Sequence, residues 1–357
     1  MIDAMVREIG LRRDYLTHPV VETIYFGGGT PSLLSERELA ILLDALHRHF
    51  RIASDAEVTL EANPDDLTAG QPIWLRRLGI NRLSIGIQSF QDDILRFLNR
   101  AHDAGQARRS LRCVLDAGFE NISTDFIFAI PGRTTAAMIG DLQEVMHWHP
   151  AHVSVYGLTI EEKTVFGRQQ ARGKFSALGE DDQASEFEAV METLEAGGYQ
   201  QYEVSNFCRP GFRSKHNSRY WSGHAYLGIG PGAHSFDGGF SRQANISSNP
   251  LYLSALRENR IPAKAEQLTL RDRANEILMT TLRTAEGCDI DGLQRLSGYD
   301  LAARNREYLH QLTDLGYARM DGSRLVLTRR GRMIADRIAG DLFMAEEGSE
   351  PEEADGR

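Results

Sequence analysis

Between Val20 and Leu158 the chain repeats one pattern: a short run rich in β-branched residues, a turn, and a stretch with helical spacing of its apolar residues. The runs are VVETIYF (20–26), EVTLEA (57–62), RLSIGI (82–87), ISTDFIFAI (122–130) and HVSVYGL (152–158). Helices are expected from Ser35, whose capping box with Glu38 precedes LAILLDALHRHF, around Pro72–Leu78, over 91–99, over 104–117 up to Gly118, and over Thr134–Trp148. Strands separated by helices require a parallel sheet or barrel. Right-handed crossovers put every strand's C-terminal end on one face, where such folds hold their ligands. The segments GGGTP, Glu61–Pro64, Gln88-Ser89 and Asp125–Gly132 follow the strands and should converge there. One feature departs from a complete barrel. The pattern opens on a helix (2–16, with Ile2, Met5, Ile9 and Leu16 on one face, stopped at His18-Pro19) and not on a strand.

The second half has a different rhythm. A helix is expected over 181–196, closed by Gly197-Gly198, then an alternating strand YQQYEVSNF (199–207). A glycine-dense, loop-rich region follows, containing HNSRYW and YLGIGPGAHSF, and a short helix at Pro250–Asn259. From Thr269 the reading is three helices (269–286, 289–297, 300–315), a hairpin turning at Asp321-Gly322, and a last helix over Thr328–Phe343. That order resembles a winged helix. The expected fold class is α/β: a partial parallel (β/α) barrel with a small C-terminal winged-helix-like α+β domain. The expected divisions are 1–180 for the partial barrel, 181–267 for its extension, 268–344 for the C-terminal domain, and 345–357 for an acidic, disordered tail.

Composition narrows the function classes. The net charge of −10 disfavours nucleic acid as a partner, although about half of it lies in the tail AEEGSEPEEADGR. No apolar run approaches the roughly 20 residues of a membrane span. The start MIDAMVREIGLRRDYL does not read as a secretory signal. A cytoplasmic location follows, with peripheral membrane contact left open. Cys113, Cys208 and Cys288 are far apart in sequence, form no C-x-x-C, and read as small buried residues.

Each motif has a functional and a plain reading. The glycines of GGGTP (Gly27–Pro31) let a ligand approach the backbone, or simply make a tight turn. Glu61, Gln88 and Asp125 are polar groups at the ends of successive strands, and Arg100 could fork onto a carboxylate; each alone could be a solvated side chain. The segment His216-Asn217-Ser218-Arg219-Tyr220-Trp221 offers an imidazole and two aromatic rings, the combination haem uses, or a histidine packed in a loop. The loop Gly228–His234 is weak on its own. The arginines at 319, 324, 329, 330 and 332 could form a basic wing for DNA or a solvated face; the acidic body favours the latter.

Together, IYFGGGTPSLL, EANP, RLSIGIQSFQDDILRFLNRAH, DFIFAIPG, HVSVYGLTIE and YLGIGPGAHSF resemble the signatures of the oxygen-independent coproporphyrinogen oxidase and HemW-type haem chaperone branch of the radical S-adenosylmethionine (radical SAM) superfamily, over about Met1 to Phe343. The resemblance implies a radical SAM-type barrel. It implies that Gly28, Gly29, Thr30, Glu61, Gln88, Arg100, Asp125 and Thr159 contact S-adenosylmethionine. The H-N-x-x-Y-W element is similar to that of the haem chaperones, and implies haem binding by His216, Asn217, Tyr220 and Trp221. Haem and a haem-acceptor protein are then the expected partners. The alternative within the branch is an oxygen-independent coproporphyrinogen dehydrogenase; the H-N-x-x-Y-W element and short N-terminus favour the chaperone. No catalytic residue is assigned.

The sequence departs from the family in one respect. The family holds a 4Fe-4S cluster with C-x-x-x-C-x-x-C on the loop after its first strand, and here that motif and strand are absent, with Met1 falling where the first helix should be under way. No metal ligands are therefore assigned, and the expectation is that this chain builds no cluster and generates no deoxyadenosyl radical.

Overall fold

A computed structural model describes residues 1–17 and 20–345. The expected helix stop at His18-Pro19 lies outside them, as does the acidic tail apart from Ala345. The chain divides into two compact units, 1–219 with 229–233 and 245–262, and the remaining segments from Tyr220 onward.

In chain order the first unit opens with α1 (Ile2–Leu11), β1 (Val20–Phe26), α2 (Glu36–His49), β2 (Arg51–Ala62), α3 (Gln71–Arg77) and β3 (Arg82–Gln88). It continues with α4 (Asp92–Phe97), α5 (Ala104–Asp116), β4 (Asn121–Phe128), α6 (Thr135–His147) and β5 (His152–Gly157). Then come α7 (Val165–Ala171), α8 (Glu180–Ala196), β6 (Gln200–Glu203), β7 (Asn206–Cys208) and α9 (Lys215–Trp221), whose end crosses into the second unit. The strands form one sheet in the order β1-β2-β3-β4-β5-β7-β6. Neighbours from β1 to β5 are parallel, while β7 runs antiparallel to β5 and to β6. This is a curled, parallel-rich half-barrel.

The two faces of the sheet are chemically distinct. Ile24, Val58, Leu60, Leu83, Ile85, Ile122, Phe126, Val153 and Val155 are all buried on one face. The alternate residues on the other face are mostly polar: Thr23 and Tyr25; Glu57, Thr59 and Glu61; Arg82 and Ser84; Ser123 and Asp125; His152 and Ser154. Parallel strands buried on both sides normally read as continuous apolar runs. The alternation here means that the concave face was built for something polar.

Local sequence explains most boundaries. Ser35 and Glu38 form the expected capping box on α2, Asp103 and Gln106 form another on α5, and Gly118 takes a positive φ after α5. On α1 the buried pair Glu8–Arg12 (2.9 Å) is shared with Asn245, Tyr252 and the backbone of Gly230. That knot fixes the GIGPG loop and α10 (Asn249–Arg257) against the opening helix.

Several expectations need correction. α1 ends at Leu11 and not at Leu16. β2 begins at Arg51, six residues earlier than its apolar alternation suggested. The single strand expected at 199–207 is a hairpin, β6 and β7, because Val204 and Ser205 turn while Glu203 bonds Ser205 N–H at 3.0 Å. HNSRYW lies on helix α9 and not in a loop, because the Glu57 carboxylate and Ser214 hydroxyl satisfy its first N–H groups.

The second unit contains β8 (His234–Phe236) and all but the last residue of β9 (Ser241–Asn245), which the sequence did not suggest, and β10 (Ala263–Gln267). It continues with α11 (Leu270–Thr281), β11 (Cys288–Asp289), α12 (Ile290–Ser297), α13 (Leu301–Arg304), α14 (Arg306–Asp314), β12 (Ala318–Asp321), β13 (Arg324–Leu327), α15 (Arg329–Arg332) and α16 (Ala335–Asp341). The helices expected at 300–315 and 328–343 are each broken in two, at Asn305 and at Met333-Ile334. The hairpin turn is Gly322-Ser323, since Asp321 still pairs with Arg324.

Candidate functional site

The C-terminal rim of the half-barrel gathers most of the residues singled out from sequence. β1 ends at Phe26 and enters the glycine loop, where Gly28 (φ 73°) and Gly29 (φ 63°) are left-handed and open to space. Gly27 is required for another reason: a Cβ there would sit 2.5 Å from the Tyr25 ring and 3.0 Å from Glu61. Glu61 accepts from Tyr25 Oη–H at 2.6 Å and from the Gly28 N–H at 3.2 Å. The carboxylate thus ties the loop to the end of the next strand.

Gln88 closes β3 with φ 65°, an unusual conformation for a residue with a Cβ, at a register shift against β4. The Gln88 and Arg100 side chains both lie over Gly86, where a Cβ would meet them at 2.9 and 3.4 Å. Arg100 donates to Asn63 Oδ1 at 2.8 Å. Asp125 accepts from Ser84 at 3.1 Å and from Ser123 at 3.4 Å, and burial pushes its carboxyl above the usual range. Gly28, Glu61, Gln88, Arg100 and Asp125 therefore share one rim. Thr30 precedes the short 3-10 turn Pro31–Leu33, without a side-chain capping bond. Thr159 is exposed, and no hydrogen bond among the described residues ties it to the others.

His216 enters the same concave face from α9. Its ring stacks on Tyr25, with centroids 4.6 Å apart and planes inclined by 20°. Its Nδ1 is 3.1 Å from Thr23 Oγ1. Burial lowers its pKa below the usual histidine value, with the Glu57 carboxylate opposing, so the imidazole is neutral at physiological pH. In the tautomer whose Nδ1–H donates to Thr23 Oγ1, Nε2 keeps a free lone pair, the form that ligates a metal. Asn217 is half-buried beside it. The boundary between the compact units falls after Arg219, and Tyr220 and Trp221 belong to the second. There Tyr220 stands edge-on to Trp221 at 5.2 Å and lies 5.6 Å from Tyr226, while Arg283 covers the Trp221 ring at 5.6 Å.

Sequence reasoning missed Tyr25, Arg82, His152 and Tyr202. His152 is fully buried, with Nδ1 2.8 Å from Ser123 Oγ and Nε2 2.8 Å from Tyr202 Oη. Burial and the Arg82 charge hold it neutral. The signal for Tyr25, Arg82 and His152 in the sequence is the alternation of polar with apolar residues along most of β1 to β5, which marks a polar face on each strand.

The cysteines do not form a metal site. Cys113 is on α5, Cys208 on β7 and Cys288 on β11, and among the described residues no group of three His, Cys, Asp or Glu side chains is arranged to hold a metal. This donor set does not fit an iron–sulfur cluster. The rim does fit S-adenosylmethionine in donor chemistry: a carboxylate for an ammonium group, a guanidinium for a carboxylate, and an open glycine backbone.

Comparison with known proteins agrees with this architecture. Residues 6–145 match the model of the radical SAM superfamily, and residues 268–334 that of the HemN C-terminal domain. The heme chaperone HemW of Bacillus subtilis is 35% identical over 330 residues, covering 92% of this chain and 86% of that one. That of Mycobacterium tuberculosis is also 35% identical, over 95% and 85% of the two chains. Among solved structures, the radical SAM enzyme coproporphyrinogen III oxidase (HemN) of Escherichia coli superposes with a TM-score of 0.79, covering 96% of this chain and 82% of that one, at 23% identity. It shares the fold. From the polar half-barrel, its glycine loop and relatives matched over nearly their whole length, the chain belongs to the HemW family of the radical SAM superfamily.

Proposed function

We propose that this protein is a haem chaperone that binds haem through His216 and passes it to an acceptor protein. The relatives named heme chaperone HemW support the class of cargo. The observation that carries the site is the placement of the His216 imidazole, with Nδ1 3.1 Å from Thr23 Oγ1 and one face stacked on Tyr25; burial lowers its pKa, which favours the neutral ring. An oriented imidazole whose second nitrogen is free is what a haem iron requires. Asn217 lies beside it, and Tyr220 and Trp221 follow on the same helix.

The rim residues Gly28, Gly29, Thr30, Glu61, Gln88, Arg100, Asp125 and Thr159 are proposed to hold S-adenosylmethionine. In the superfamily that cofactor, with a cluster, supplies a carbon radical; no such step is assigned to this chain, whose cysteines do not fit the cluster. What these residues do is bind and orient. Glu61 fixes the glycine loop through Gly28, and Arg100 is held towards the rim by Asn63.

The test is a haem titration of the full chain, followed by mixing the loaded protein with an apo-haem protein such as apomyoglobin. A saturable Soret shift and transfer on mixing are expected. Absence of saturable haem binding, or turnover of coproporphyrinogen instead, would overturn the reading.

A further inference from the structure

The concave face holds one charged group that its neighbours leave unengaged. Arg82 opens β3 and is only 2% exposed. Its guanidinium makes no hydrogen bond or ion pair with any described residue, and its Nε is buried without a partner. The residues in register on either side share this condition: Thr59 Oγ1 and Asn121 Oδ1 are also buried without a partner. A buried arginine is ordinarily paired, because an uncompensated charge in the interior is strongly unfavourable.

The nearby carboxylates are committed elsewhere. Glu61 takes the Tyr25 hydroxyl and the Gly28 N–H. Glu57 takes the N–H groups of Lys215 and His216 and the Ser214 hydroxyl. Asp125 takes Ser84 and Ser123. Arg82 is nonetheless central to this face: its charge attracts the Asp125 carboxylate without a hydrogen bond or ion pair between them, and it acts on Tyr25, Tyr156, Tyr202, His152 and His216. A guanidinium offers a planar fork of donors that matches a carboxylate better than any neutral group does.

We propose that Arg82 anchors a propionate carboxylate of the bound tetrapyrrole inside the half-barrel. The inference rests on the haem-binding reading and extends it: His216 would hold the iron, and Arg82 would select cargo that carries a free carboxylate. Among the described residues the guanidinium has no hydrogen-bond or ion-pair partner, so under this proposal binding and not folding completes its pairing.

The test compares haem with haem dimethyl ester in equilibrium titrations of the full chain, for wild type, Arg82→Lys and Arg82→Gln. Wild type is expected to bind haem at least about tenfold more tightly than the ester, a typical value for one charge-assisted contact. Arg82→Gln should bind both at the affinity of the ester with the same Soret maximum, and Arg82→Lys should keep part of the preference. Thermal unfolding without ligand supplies the second readout. Because Arg82→Gln breaks no protein contact, its midpoint should equal or exceed that of wild type. Equal affinity of wild type for haem and ester would overturn the proposal while leaving haem binding intact. A lowered ligand-free midpoint with parallel loss of both ligands would also overturn it, making Arg82 structural. If wild type bound neither ligand, the haem-binding reading would fall and this inference with it.

Discussion

Tyr25 lies flat on His216, ring centroids 4.6 Å apart, while its hydroxyl donates to Glu61 at 2.6 Å. One side chain therefore touches both the proposed iron ligand and the acid that fixes the glycine loop. The two contacts can be separated. Tyr25→Phe keeps the stack and removes the hydrogen bond to a carboxylate, which should lower unfolding stability by about 1–2 kcal/mol in urea while leaving the haem spectrum unchanged. Tyr25→Leu should disturb both. A Tyr25→Phe variant with normal stability and an altered haem spectrum would refute this division of roles.

The fold was largely legible because its signals are local. Capping boxes at Ser35 and Asp103, the glycine after α5, and β-branched runs ending in polar turns fix elements without reference to distant residues. What was not legible depends on partners far along the chain. The helix carrying HNSRYW needs Glu57, about 160 residues earlier, to satisfy its first amides. The proposed role of Arg82 rests on its burial and on its lacking a hydrogen bond or ion pair among the described residues, which only the assembled sheet reveals. Gly28, Glu61, Gln88 and Asp125 could be placed on one rim from topology, because parallel strands put their ends together; Arg100, between α4 and α5, and Thr159, in an exposed stretch after the last parallel strand, came only from the family resemblance.

Thr23 is expected to orient the His216 ring through Nδ1. Thr23→Val keeps the shape and removes the oxygen. Haem affinity should fall about tenfold, the usual effect of losing a hydrogen bond behind a metal ligand, and Thr23→Ser should restore it. Unchanged affinity in Thr23→Val would show that the ring is held by stacking alone.

Acid should destabilise the protein through its buried histidines. His152 is held well below the ordinary histidine pKa, and His216 is lowered as well, chiefly by burial. Below about pH 6.5 the unfolded chain takes up protons at these rings and the folded chain does not. Their contribution is therefore fully present above that pH and is lost as pH falls towards the folded values, at up to about 1.4 kcal/mol per pH unit for each histidine. Urea unfolding at pH 7.5, 6.5 and 5.5 should show the decline, and His152→Gln should flatten it. An equal slope in that variant would assign the decline to other groups.

Adjacent glycines in the loop after β1 should respond differently. Gly27→Ala places a methyl against the Tyr25 ring and Glu61, and should cost about 1–3 kcal/mol by overpacking. Gly28→Ala meets no atom within 4 Å and should cost only about 1 kcal/mol, from its left-handed backbone. Thermal or urea unfolding would rank them, and the reverse order would contradict the geometry.

The central claim is that His216 supplies the nitrogen that binds haem iron, and the most direct test is the absorption and EPR spectrum of the haem complex of wild type beside His216→Ala. The account predicts a histidine-ligated spectrum in wild type that is lost in the variant and restored by added imidazole. Indistinguishable spectra from the two proteins would contradict it.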